Sequence, residues 1–127
     1  MHKLKPEIKE RWITALTDGS YAQTKSALHT AEGFCCLGVL CDLYDANHWK
    51  PYQRHVPEQV QVDGSPRSVE TVYRYIPGHP ADTYEVMPPE SVTDWAGLGV
   101  IEAGQLATMN DGGYSFATIA AHIKENL

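Results

Sequence analysis

The residues with the strongest claim to chemistry are the three cysteines, Cys35, Cys36 and Cys41, and the histidines downstream of them. Cys35 and Cys36 stand at the start of the apolar stretch Gly33 to Tyr44, which reads as a helix. A helix N-terminus lowers a thiol's pKa and offers backbone amides to an oxyanion. A cysteine hydrolase would add a histidine from elsewhere in the fold. His48 and His55 fall in a loop-like stretch, His79 lies in a turn between Gly78 and Pro80, and His122 lies on the last helix. None is well placed by sequence, and a buried cysteine acting as a small hydrophobe is the commoner case. Packing is therefore the favoured role. Catalysis by Cys35 or Cys36 stands as the alternative.

Metal binding is weaker still. Cys36, Cys41 and His48 would supply three ligands, but residues five apart on a helix point in different directions and no Cys-x-x-Cys pair is present. Asn110-Asp111-Gly112-Gly113 lacks the further carboxylates of a calcium loop. No phosphate-binding glycine loop, dinucleotide fingerprint, Gly-x-Ser-x-Gly or His-Glu-x-x-His pattern occurs. The expectation is no metal and no cofactor. The aromatics remain. Tyr52, Tyr73 and Tyr75 lie among Arg54, Arg67, Arg74 and His79, a mixture suited to stacking and anion recognition in a nucleotide pocket or a protein interface. These seven residues form the expected ligand-binding set. Tyrosines that decorate half-exposed strands would give the same pattern.

These groups need a frame. Within Gly33 to Tyr44, Leu37, Leu40, Cys41 and Tyr44 fall on one helical face, and Cys36, Val39, Leu40 and Leu43 on the adjoining one. Such a helix belongs in a core, with Asp42 and Asp45 on its solvent side. Gly38 costs roughly 1 kcal/mol in a helix interior, which predicts close approach of another backbone. Pro6 to Asp18 reads as an amphipathic helix with Ile8, Trp12 and Leu16 on its stripe and Ile13 beside it. Tyr21 to Thr30 reads as a strand, followed by a turn at Ala31-Glu32-Gly33. Asn47 to Glu58 reads as a surface loop, and Val60 and Val62 alternate with glutamines as a strand does. The turn Asp63-Gly64-Ser65-Pro66 and the run Val69 to Ile76 complete an expected hairpin. Tyr84 to Met87 adds a short strand. Pro88-Pro89-Glu90 opens a helix through Trp95 that Gly97 stops, Ile101 to Met109 is ambiguous, and Asn110 to Gly113 reads as a loop. Ser115 caps a last helix whose stripe is Phe116, Ile119, Ala120, Ile123 and Leu127. The predicted fold is one α+β domain over 1–127, with a buried central helix and N- and C-terminal helices packed on a small antiparallel sheet.

The formal net charge is −6, which argues against a protein that binds duplex nucleic acid by neutralising phosphates. It leaves room for a basic protein partner. A further alternative is an acidic mimic of nucleic acid, which requires Glu32, Asp42, Asp45, Glu58 and Asp63 on one face. Adjacent cysteines and an odd count predict reduced thiols in a cytosol. Met-His-Lys-Leu-Lys-Pro has no apolar signal core, and no run approaches the ~18 residues that span a bilayer. The expectation is a cytoplasmic protein without a membrane partner.

Four stretches carry a resemblance over most of the chain. They are Arg11-Trp12 through Gly19-Ser20-Tyr21-Ala22-Gln23, Gly33 through Asp42, Pro88-Pro89-Glu90 through Trp95-Ala96-Gly97-Leu98, and Met109 through Gly113 with Ser115-Phe116-Ala117. Through them, above all Phe-Cys-Cys-Leu-Gly-Val-Leu-Cys-Asp, the chain resembles a family of small, largely uncharacterised proteins of bacteriophages, prophages and bacterial accessory regions. The resemblance brings no catalytic residues. Its implied context is host-defence antagonism by a non-enzymatic accessory protein, which occupies a host defence protein or sequesters a small nucleotide-type signal as a sponge. A homo-oligomer is compatible with this, since subunits enclose a pocket easily. The middle segment, Ala46 to Tyr84, is least family-like and is where a partner-specific surface is expected.

Overall fold

A computed structural model of the chain describes residues 3–55, 69–79 and 81–127. The chain is α+β. Among the described residues, five α-helices, α1 (Pro6–Thr17), α2 (Cys36–Tyr44), α3 (Glu90–Ala96), α4 (Val100–Asp111) and α5 (Phe116–Asn126), accompany four strands, β1 (His29–Thr30), β2 (Gly33–Phe34), β3 (Trp49–His55) and β4 (Val69–Tyr75). The strands form one antiparallel sheet in the order β2-β1-β4-β3. Among the described residues, no helix is long and apolar enough to cross a membrane.

The centre is α2. Cys36, Leu37, Val39, Leu40 and Cys41 have no exposed surface, and each large aliphatic among them contributes about 1.5–3 kcal/mol by leaving water. Three neighbours hold the helix in place. The Trp12 indole of α1, fully buried, donates to the Cys36 carbonyl at 2.9 Å. The Tyr75 hydroxyl of β4 donates to the Cys41 and Asp45 carbonyls at 3.1 and 2.8 Å, which ties the sheet to the helix C-terminus. Gly38 lies against the Leu28 backbone, where a methyl group would stand 1.8 Å from the Leu28 carbonyl oxygen. The predicted close approach is therefore real, and its partner is the residue before β1. Tyr44 departs from the expected apolar face: it is 37% exposed and meets Trp95 edge to face.

The remaining helices follow their signals. Ile8, Trp12, Ala15 and Leu16 form the buried side of α1, and Phe116, Ile119, Ala120 and Ile123 that of α5, with Ser115 capping its N-terminus through Thr118 N. Gly97 ends α3 in the left-handed region (φ 82°), and its missing Cβ would sit 2.3 Å from the Lys3 carbonyl oxygen. The ambiguous stretch is helical, and α4 takes in Asn110 and Asp111 from the expected loop.

The strands depart further from the sequence pattern. Of the expected Tyr21 to Thr30 strand, only His29–Thr30 forms one, with a lone bridge from Gln23 to Phe34. The reason is a set of polar ties to α4. Asn110, fully buried, donates to the Thr24 carbonyl and accepts from the Gln23 side chain and the Cys36 amide, while Asp111 accepts from Ser26 N. These hold residues 23–26 as an irregular connection. Gly33 and Phe34 belong to β2, so the central helix starts at Cys36. Tyr84 makes only a bridge to Tyr75.

Trp49–His55, expected as loop, is the edge strand β3, paired with β4 along its length. Its proline fits because of the ladder's phase. Odd-numbered β4 residues turn their amides away from β3: Thr71 O accepts from Ala31 N, and Tyr75 exchanges bonds with Tyr84. Even-numbered residues therefore bond β3 through Lys50, Tyr52 and Arg54, and Pro51 points outward, where its missing N–H interrupts no ladder bond. The expected strand at Val60 and Val62 and its turn at Asp63–Pro66 lie outside the described residues; among those described, the hairpin partner of β4 is β3.

Candidate functional site

A cleft of about 910 Å³ lies between α1 and α2. Helical spacing builds its first wall: Glu7, Glu10, Arg11 and Thr14 of α1, and Asp18 at its C-cap, succeed one another along a side that adjoins the buried stripe and shares Ala15 with it. α2 supplies Asp42 and Leu43, and the connection between the helices supplies Ser20, Tyr21 and Phe34. Tyr21 and Phe34 meet edge to face with centroids 5.0 Å apart, giving the cleft an aromatic floor.

Asp42 is the fixed point. It is half-buried, a correction to its expected place on the solvent side. Its Oδ2 accepts from the Tyr21 hydroxyl at 2.6 Å and its Oδ1 from the Trp49 indole at 3.0 Å. Burial, and then the bond to Asp42, push the Tyr21 pKa well up, so its hydroxyl remains a donor. At the other end, bonds from Ser20 hold the exposed Asp18 carboxyl below its ordinary range. Arg11 is the single cation lining the cleft among the described residues. Its guanidinium donates to the Leu43 carbonyl at 3.5 Å. Four carboxylates thus outnumber one guanidinium around an aromatic floor, an arrangement that attracts cations and repels phosphates.

Among the described residues, the members of the expected ligand-binding set are divided between the two faces of the sheet and the turn after β4. Strand alternation sends Tyr73 and Tyr75 to the α2 side of the sheet and Tyr52 and Arg74 to the other. Tyr75 is fully buried with its hydroxyl engaged by carbonyls. Tyr73 closes a stack in which the His29 ring lies between it and Phe34, at 4.2 and 3.7 Å. Tyr52 and Arg74 do meet: the guanidinium lies 3.6 Å above the Tyr52 ring, and both side chains bond Glu85. His79 sits in an exposed turn and accepts from Ala81 N. Arg67 and the side chain of Arg54 lie outside the described residues.

The thiols are packed. Cys35 is 5% exposed, and Cys36 and Cys41 are fully buried. Burial pushes the Cys35 thiol up to about 11 and the other two well above their usual range. Cys35 Sγ accepts from Gly38 N, so it caps α2, and Cys36 donates to the Leu106 carbonyl at 3.6 Å. His48 pairs with Asp45, and His122 faces Asn126. Among the described residues, no group of three or more His, Cys, Asp or Glu could hold a metal ion. Of the acids proposed for mimicry, Glu32 is exposed, Asp42 is engaged in the cleft, Asp45 caps the turn at Asn47, and Glu58 and Asp63 lie outside the described residues.

A protein-family profile described as a domain of unknown function, DUF8296, matches residues 4–127. The chain belongs to this family. No curated protein and no solved structure matches the chain. In this DUF8296 domain the stretches that carried the resemblance are largely architectural. Trp12, Gly38, Gln23 and Asn110 join helices and the connection around α2, and Tyr21 and Asp42 lock the cleft. The cleft lies outside the Ala46 to Tyr84 segment where a partner surface is expected, and its one local signal is the spacing of Glu7, Glu10, Thr14 and Asp18 along one helical side.

Proposed function

We propose that this is a non-enzymatic phage accessory protein that antagonises a host defence by binding a protein partner, and that the α1–α2 cleft takes a basic segment of that partner. The phage context rests on the sequence resemblance. The binding mode rests on one observation: Glu7, Glu10, Asp18 and Asp42 line, with Arg11 as the one cation among the described residues, a cleft floored by Tyr21 and Phe34. Of the two partners the sequence leaves open, a nucleotide-type signal would bring phosphates against these carboxylates, whereas a lysine- or arginine-bearing segment meets opposite charge and an aromatic surface for its stems. The raised thiol pKa values and the absence of a bonded cysteine–histidine pair among the described residues favour binding over hydrolysis.

Native mass spectrometry of the protein isolated from host cells tests this reading. The expected result is a complex with one host protein that dissociates as ionic strength rises. A bound nucleotide, released unaltered on heating, would replace it with the sponge.

A further inference from the structure

A second concavity, of about 600 Å³, lies on another part of the molecule, where the segment before α3 meets α4. Met87, Pro88, Leu98 and Val100 give it an apolar lining. α4 enters at this groove with its first two residues unusually bare: Val100 is 80% exposed and Ile101 72%. The buried side of α4 begins only at Ala103 and continues through Leu106 and Asn110. Adjacent aliphatics left in water beside an apolar groove are the composition of an interface centre, and scattered surface leucines or valines are not arranged this way.

The rim tells which occupant fits. Glu90 and Asp94, four residues apart on α3, project along one edge of the groove. Neither has an ion pair, and no Lys or Arg lines the groove, among the described residues. We infer that this groove docks an amphipathic basic segment of a partner protein, its apolar side against Met87, Leu98 and Val100 of the lining and the bare Ile101 next to Val100 in the chain, and its lysines or arginines along Glu90 and Asp94. A second copy of this chain fits less well, because a symmetric pairing would set the same carboxylates near each other.

A synthetic amphipathic leucine/lysine peptide and its leucine/glutamate counterpart, titrated into methyl-labelled protein, test the inference. The lysine peptide should shift the methyl signals of Met87, Leu98, Val100 and Ile101, and bind at least about tenfold more tightly than the glutamate peptide. Val100→Asp with Ile101→Asp should abolish the shifts of the Met87 and Leu98 methyls while leaving the denaturant midpoint unchanged, because both sites are exposed and lie in a helix's first turn, where acids are tolerated. The milder pair Val100→Ala and Ile101→Ala should weaken binding in the same direction. Equal binding of the two peptides, shifts confined to the α1–α2 cleft, or unchanged binding by the Asp variant would overturn the inference. So would concentration-dependent shifts of the same methyls without peptide, accompanied by a doubled mass, since the occupant would then be a second copy.

Discussion

Gly38→Ala is the sharpest probe of the architecture. The substitution improves helix propensity by about 1 kcal/mol, so α2 taken alone would be stabilised. In the fold the new methyl would lie 1.8 Å from the Leu28 carbonyl oxygen and 2.7 Å from its carbonyl carbon. Both are backbone atoms, so no side-chain rotation relieves the clash; α2 and the chain entering β1 must move apart by about 1.5 Å to reach ordinary contact distance. Overpacking of this kind costs about 1–3 kcal/mol, and the upper end applies where backbone must shift. The same movement strains the bond from Cys35 N to Leu28 O, 2.9 Å long, a contact worth about 1 kcal/mol. Three for the clash and one for the bond, less one for propensity, leaves a destabilisation of about 3 kcal/mol. Urea unfolding followed by far-UV circular dichroism reads this as a lower midpoint with an unchanged slope. A midpoint equal to or above that of the wild type would refute the packing described for α2.

Three further outcomes follow from the same core. Asn110→Ala removes the acceptor of Cys36 N and the donor to Thr24 O inside a fully buried site, and should cost about 2–4 kcal/mol in denaturant unfolding; a change under about 0.5 kcal/mol would show that the network is idle. All three thiols should resist alkylation near neutral pH and react together only on unfolding, and rapid labelling of Cys35 or Cys36 in the folded protein would revive the hydrolase reading. His29 is held below its ordinary pKa chiefly by burial, with its bond to the Gly33 carbonyl and the charge of Asp42 acting the other way. The unfolded chain therefore binds the proton more readily, and this stability term is complete above about pH 6.5 and lost as pH falls through the folded-state value. His29→Phe, which keeps the stack with Phe34 and Tyr73, should flatten the decline in thermal midpoint below that pH, and an unchanged decline would remove His29 as its source.

What the sequence disclosed was whatever depends on local spacing. The stripes of α1 and α5, the Ser115 cap, the Gly97 stop and the crowded Gly38 are each written within a few residues. What stayed hidden depends on partners far along the chain. Pro51 made Trp49–His55 look like a loop, and only the phase of its pairing with β4 shows why a proline is tolerated there. Neighbouring tyrosines and arginines suggested one pocket, yet consecutive residues of a strand face opposite sides, which separates Tyr73 and Tyr75 from Tyr52 and Arg74. Residues 23–26 looked like strand because nothing local announces that Asn110, more than eighty positions later, takes their hydrogen bonds. One wall of the cleft was visible as a helical face of acids, but its floor and its fixed carboxylate come from Tyr21, Phe34 and Asp42, which only the packing of α2 brings alongside.

Charge reversal in the cleft tests the functional claim most directly. Glu7 and Asp18 are exposed, Glu7 stands in the first turn of α1 and Asp18 holds Ser20 N, so Glu7→Lys with Asp18→Lys should cost no more than about 1–2 kcal/mol of stability and leave the protein folded. Affinity for the host protein isolated with the wild type, measured by calorimetry at low and moderate salt, should fall at least about tenfold and lose most of its salt dependence. Binding of that partner with undiminished affinity and the same salt dependence would contradict the cleft as its site.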